Sequence, residues 1–508
     1  MATEKISANN KRIAKNTILL YIRMFVTMCV SFYTSRVILQ VLGVDDFGLY
    51  NIVGGIVVLF SILNGALSSS TQRFLNYEIG KNHNDNVTII FKNSLSLHLV
   101  LLVIIIILSE SFGLWYLNHI MNIPIDRQSA ANYVYQFSIV TFCLNVIRVP
   151  FNASIIAYEK MNFYAYVSIF ETVLKLLIVY LLLIGNFDKL ILYGFLLMLV
   201  TFLVNSIYVI YCCRSFRTIK LGLSWNKNTL SNMMSFSSWS LFGSVAVVSS
   251  QQGINLILNY FFGVAINAAA GVASQVTNAM YAFISNFQIA FNPQIIKLYA
   301  QGNKEELTKL IFRASKFSFL LFWLIGLPML VTAPTILEIW LDVVPEHAVS
   351  FTRVIIIYLL IDALNGPLWT AVNATGKIKY YQILISCILL LNLPVAYIML
   401  WYGYIPETVW FSRIVFNIFA MVVRLIYLNK IMDFPVTVYI SKIIFPLGII
   451  VICSLLISFF LIKYNNLTIL TIIIDVFAVM ILSFFIILTS SEKIKILMFF
   501  KKKIKSIQ

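Results

Sequence analysis

The chain has 508 residues, of which 60% are hydrophobic and 11% charged, and its mean hydropathy is +0.90. A soluble domain sits nearer ~45–50% apolar and ~25% charged, so a soluble enzyme, a disordered chain and a disulfide scaffold are excluded. The formal net charge of +17 then has to be explained inside a membrane protein.

The first 15 residues are polar, and the apolar run that follows is 25 residues long with no small-residue cleavage site. That is no cleavable signal peptide. Fourteen spans are predicted, at 16–40, 49–70, 91–117, 131–157, 163–185, 190–213, 231–261, 267–292, 313–335, 351–374, 380–402, 408–429, 439–462 and 467–489. Each is long enough for a helix to cross ~30 Å of hydrocarbon. The ten-residue alternation of an outer-membrane barrel is missing. The fold class is therefore an all-α polytopic membrane protein. No predicted loop exceeds 20 residues, so any function belongs to the helix bundle.

Lysine and arginine concentrate in the tails and in loops such as 71–90, 214–230 and 293–312. Those loops are read as cytoplasmic, and the even span count then puts both termini on that side. The basic balance is thus a topology signal, with no nucleic acid as partner. Six lysines between Lys493 and Lys505 read as an anchor on anionic headgroups.

Three landmarks recur at a shift of 217 to 222 residues. Leu42-Gly43-Val44 matches Phe262-Gly263-Val264. Glu78-Ile79-Gly80-Lys81-Asn82 matches Ala300-Gln301-Gly302-Asn303-Lys304. Pro150-Phe151-Asn152-Ala153 matches Pro367-Leu368-Trp369-Thr370. Each repeat holds six spans, so both have one orientation, related by a pseudo-two-fold axis along the membrane normal. The predicted organisation is an N-lobe at 1–213, a cytoplasmic linker at 214–230, a C-lobe at 231–429, two extra spans at 430–489 and a basic tail at 490–508. Two like-oriented bundles rocking about a shared site is the layout of many secondary transporters.

Span 1 carries Asn16, Arg23, Thr27, Ser31 and Thr34 on one helical face, and span 7 carries Ser244, Gln251, Asn255 and Asn259. Span 2 adds Ser61, Asn64 and Ser68. Amides and a guanidinium facing lipid would be unsatisfied, so these faces look into protein or a wet cavity. The alternative, hydrogen bonding between packed helices, stays open. Arg148 lies two residues before Pro150 and faces the cavity or snorkels to the surface. Glu171 and Lys175 are four apart and form either an ion pair or an ion-coupling site. Asp362 binds a coupling cation or salt-bridges an arginine of another helix. Asp475 has no evident role. His83, His119 and His347 read as loop residues, and His98 as a core residue. The cysteines Cys29, Cys143, Cys212, Cys213, Cys387 and Cys453 read as small buried hydrophobes. No metal cluster, cofactor site, nucleotide loop or catalytic triad is visible.

Ser35-Arg36, the run Leu42-Gly43-Val44-Asp45-Asp46-Phe47-Gly48-Leu49-Tyr50 and Thr71-Gln72-Arg73-Phe74 resemble the Wzx-type polysaccharide flippases of the multidrug/oligosaccharidyl-lipid/polysaccharide (MOP) superfamily, which has a MATE-like fold. The resemblance extends over fourteen spans, two lobes, two extra helices and a basic tail. It implies a monomeric inner-membrane flippase whose partners are membrane lipids, an undecaprenyl-diphosphate-linked oligosaccharide and a coupling ion, H+ or Na+. The glycan would be an O-antigen, capsule or exopolysaccharide unit. Arg23 matches the place of a cavity arginine, while Gln251 and Asn255 stand where some relatives carry a basic residue. Two other readings remain: a cation-coupled drug antiporter of the same fold, and a membrane polysaccharide polymerase or ligase.

Overall fold

The computed structural model describes residues 2–58, 61–119, 123–184, 187–341, 344–464, 468–490 and 492–494. Of the tail's lysines only Lys493 is among them, and the side chains of Val44, Asp45, Phe47, Gly48, Gly54 and Gly55 lie outside the described residues. The described chain is almost wholly helical, as hydrocarbon demands when every backbone polar group must be satisfied within its own segment.

Helix α1 (Ala2–Val58) breaks at Gly43, and α2 (Ser61–Gly80) follows; the second predicted span is divided between them. Helix α3 (Asn84–Leu108) runs through a π turn (Ser109–Gly113) into α4 (Leu114–His119). The first half closes with α5 (Gln128–Ala157), α6 (Met161–Leu181) and α7 (Lys189–Ser215). The second half begins with α8 (Lys227–Phe262), α9 (Val264–Ala300), α10 (Lys304–Val331) and α11 (Ala333–Leu341). It continues with α12 (Ala348–Thr375), α13 (Lys379–Trp401) and α14 (Thr408–Met432). Finally α15 (Val436–Tyr439) leads through a second π turn into α16 (Phe445–Tyr464), and α17 (Thr468–Ile486) ends the bundle. Eleven segments among the described residues are long and apolar enough to cross a membrane, and the described residues of the remaining predicted spans are helical as well.

The chain forms two compact units. The first comprises 1–245, 289–303 and 373–382, so it includes short stretches from the second half. Within it α5 packs on α7, α1 on α6 and α2 on α5. The expected basic-side loops meet here. The Ser70 hydroxyl donates to Met233 O (3.1 Å), Thr88 to Thr218 O (2.8 Å) and Ser96 to Ser224 O (3.0 Å). Elsewhere in the unit, Asp188 caps α7 by accepting from Leu190 N and Ile191 N. Arg127 bonds both Asp188 and Asp46, tying the motif after the Gly43 break to the start of α7.

The second unit comprises 246–288, 304–372 and 383–508. The two extra helices are fastened to α10 within it. Trp323 Nε1 donates to Ser454 Oγ at 2.9 Å, and Lys316 Nζ to Glu492 Oε2 at 2.6 Å. Asp475 is fully buried and accepts from Ser458 Oγ at 2.6 Å, so it joins α17 to α16.

Backbone geometry supports the repeat and corrects its register. Gly43 and Gly263 both have positive φ, 80° and 76°. At the second landmark the positive-φ residues are Asn82 (60°) and Gly302 (71°), and the turn hydrogen bonds match at the same shift. The register there is 220, not the 222 suggested by aligning Gly80 with Gly302. Glu159 (57°) and Gly376 (74°) mark the third landmark. One further expectation fails: Cys29 and Cys387 are exposed, because cysteine on a lipid-facing helix needs no burial to escape water.

Candidate functional site

In the first unit, three helices bring charge to one intramembrane region and a fourth adds an aromatic ring. Arg23 on α1 places its guanidinium carbon 4.6 Å from the ring centre of Tyr164 on α6. On α5, Arg148 donates Nη1 to Glu171 Oε2 of α6 at 3.2 Å, and lies 5.6 Å from the Tyr208 ring of α7. Lys175, one turn beyond Glu171, donates Nζ to Glu171 Oε1 at 2.7 Å. Tyr208 interacts electrostatically with Arg148, Glu171, Arg23 and Tyr164 together, which makes these residues one cluster. Two cations, Arg148 and Lys175, bond one carboxylate, Arg23 stands over Tyr164 in the same cluster, and none of the ion-paired side chains is fully buried. A half-wet site with surplus positive charge and aromatic walls suits an anion.

The remaining span 1 and span 2 residues are placed as follows. The Thr27 hydroxyl donates to Met24 O at 3.0 Å, one turn back on its own helix. Ser31 is exposed and Asn64 half-buried, with Asn64 Oδ1 lacking a hydrogen-bond partner among the described residues.

In the second unit, α8 turns one face to α13. Ser250 Oγ donates to Leu389 O at 3.1 Å, and a side chain at Gly253 would meet Leu393. Gln251 and Asn259 are exposed. Asn255 Nδ2 donates to Gln252 at 3.3 Å, and its Oδ1 has no partner among the described residues.

Asp362 on α12 does not stand alone. Arg413 and Arg424, both on α14, interact with it. Arg413 lies 4.4 Å from the Tyr358 ring and 5.6 Å from Trp410. Asn365 Nδ2 donates to Asn417 Oδ1 at 2.9 Å, joining the same two helices. Arg413, Asn417 and Arg424 are spaced four and seven apart, which puts them on one face of α14. That spacing was available in the sequence as a signal, but both arginines look like span-end charges when counted for topology.

His98 is a buried core residue whose Nδ1 pairs with Ser94 O at 2.8 Å. Among the described residues no group of three or more histidine, cysteine, aspartate or glutamate side chains could hold a metal.

The profile of the family described as "Polysaccharide biosynthesis protein" matches residues 13–296, and that of MatE matches residues 230–398. A search of curated protein sequences finds no match. Among solved structures, the chain is similar to an outward-facing multidrug resistance MATE family transporter of the MOP superfamily. Identity is 14% and the TM-score 0.74, over 84% of this chain and 96% of that one. It is similar also to MATE in the straight conformation (15% identity, TM-score 0.73, 84% and 96% covered). A third is a MOP superfamily transporter from Pyrococcus furiosus described as having a binding pocket of reverse polarity (13% identity, TM-score 0.71, 85% and 96% covered). With one family profile covering more than half of its length and the fold shared across these structures, the chain belongs to the polysaccharide biosynthesis protein family, a membrane transporter of the MOP superfamily and not an enzyme.

Proposed function

We propose that the protein flips an undecaprenyl-diphosphate-linked oligosaccharide, such as an O-antigen, capsule or exopolysaccharide unit, from the cytoplasmic to the periplasmic leaflet of a bacterial inner membrane by alternating access. The observation that carries this reading is a cluster with three cations and one carboxylate, in which Arg148 and Lys175 pair with Glu171 and Arg23 stands over Tyr164. A diphosphate must cross low-dielectric space, where its charge needs a compensating field. Arginine supplies a permanently charged planar fork for phosphate. Arg23, held over Tyr164, is in this reading the cation that takes the phosphate. The neutral amides of Asn64, Gln251, Asn255 and Asn259 suit sugar hydroxyls.

The antiporter reading would need an acidic site open to a cation. Asp362 interacts with two arginines, whose positive charge opposes the binding of a further cation. The reported reverse polarity of a pocket in the Pyrococcus protein supports the idea that pocket charge varies with function within this fold. Working as a monomer, with both termini in the cytoplasm and an H+ or Na+ gradient as the drive, belongs to the same proposal.

The test is deletion of the gene followed by mass analysis of the membrane lipids. The proposal expects a prenyl-diphosphate glycan to accumulate on the cytoplasmic leaflet and surface glycan to be lost. Unchanged surface glycan with raised drug sensitivity would overturn it in favour of the antiporter.

A further inference from the structure

The second-half stretches inside the first unit meet the first half crosswise. Arg73, on α2, donates Nη2 to Ala374 O at 3.1 Å, in the last turn of α12. Its guanidinium carbon lies 4.5 Å from the Phe74 ring centre and 4.9 Å from that of Tyr77. In the opposite sense, Glu159 in the turn after α5 accepts from two residues near the end of α9. Gln294 Nε2 and Lys297 Nζ each approach its carboxylate at 2.6 Å. The repeat pairs α2 with α9, and Glu159 with Gly376. Each half's second-span helix therefore grips the turn that ends the other half's fourth-span helix.

Two features show that these contacts are built, not incidental. Glu159 has φ 57°, a left-handed conformation that strains a non-glycine residue, and its carboxylate is 1% exposed. A strained backbone carrying a buried charge persists only where its surroundings hold it, and such outliers gather at switches. At the equivalent turn the chain has Gly376, where an added Cβ would lie 2.5 Å from an Arg73 nitrogen. The ends of the two helices also touch directly: a Cβ on Gly80 would lie 2.8 Å from Lys297 Cα, and Tyr77 and Tyr299 have ring centres 6.5 Å apart.

We infer that these crosswise contacts are a releasable lock with two chemically unlike arms, holding the ends of α2 and α9 together in this conformation. This rests on the alternating-access reading above, since a rocking transporter must part these ends to open on that side. One arm is ionic, Glu159 with Lys297 and Gln294. The other sets the Arg73 guanidinium on a carbonyl and aromatic rings, over the Gly376 turn. The ionic arm is the one that charge substitution can release and restore.

The test uses the full-length chain in native membranes with Tyr77→Cys and Tyr299→Cys. A short bifunctional thiol reagent joins the pair, and peptide mass spectrometry counts the 77–299 product separately from native cysteines. In the parent the cross-link should form readily, block glycan export, and release it when cleaved. Glu159→Gly relaxes the backbone while removing the carboxylate, so abundance should hold while cross-linking slows by threefold or more. Arg73→Gln should slow it as well, and the swap Glu159→Lys with Lys297→Glu should recover part of the loss. Cross-linking unchanged by both single substitutions would overturn the lock, as would full export by the cross-linked protein. Slowed cross-linking in a protein whose deletion leaves glycan export intact would support the lock and sink the flippase reading alone.

Discussion

Each compact unit sets a carboxylate between two cations on neighbouring helices, but the surroundings differ. In the first, Glu171 pairs with Arg148 at 3.2 Å and Lys175 at 2.7 Å, and Arg23 joins over Tyr164 as a third cation. In the second, Asp362 has Arg413 and Arg424, with Arg413 against Tyr358 and Trp410. In both, the carboxylate interacts with cations of the protein itself. The difference is the added arginine of the first unit, and it teaches where an anionic headgroup gains most.

Substitution at Arg23 should break that comparison most sharply. A charge-assisted hydrogen bond is worth about 1.5–3 kcal/mol, so Arg23→Ala should cut export by roughly 10- to 100-fold at unchanged membrane abundance. Arg23→Lys keeps the charge without the fork and should lose part of the activity. Arg413→Ala in the second unit should cost less export; an equal loss at both positions would erase the distinction between the units.

Asp362→Asn comes next. A carboxylate that organises arginines should, when neutralised, lower abundance and slow export a few-fold while leaving its ion dependence intact. Loss of all transport at normal abundance would instead make Asp362 the coupling site. Glu171→Gln leaves Arg148 and Lys175 facing one another without a counter-charge. Because the three side chains are partly exposed, the loss should be about 1–2 kcal/mol in thermal unfolding, and adding Lys175→Met should recover some of it.

The smallest expected effect lies at the far end of the second unit. Burial alone would raise the Glu407 carboxyl, but hydrogen bonds from His347 and Ser350 hold it below its ordinary value. A depressed folded pKa contributes stability that is full above the ordinary carboxylate range and is lost as pH falls through the folded value. Glu407→Gln should therefore flatten the acid side of a stability–pH curve and leave its shape above pH 7 unchanged.

Much of the fold was legible because hydrocarbon imposes a length and a composition on each span. The pair Glu171–Lys175 was legible from its i, i+4 spacing, whereas Arg148 joins it from another helix, which no local pattern reveals. Asp362 stayed ambiguous for the same reason until α14 supplied its arginines. The register at the second repeat landmark slipped because Gly80 and Gly302 look alike, while the backbone places its left-handed residue at Asn82. Glu159 left no sequence signal: a glutamate in a polar loop looks solvated, and only the turn reveals it buried against Gln294 and Lys297.

The central claim is that a diphosphate headgroup is what the Arg23 cluster reads. Purified protein in liposomes should be given a fluorescent short-chain prenyl-diphosphate oligosaccharide, and in parallel the same glycan on a neutral lipid, with leaflet exposure followed by a membrane-impermeant quencher. The account predicts flipping of the diphosphate lipid alone, lost in Arg23→Ala; equal flipping of the neutral lipid, or of the diphosphate lipid by Arg23→Ala, would contradict it.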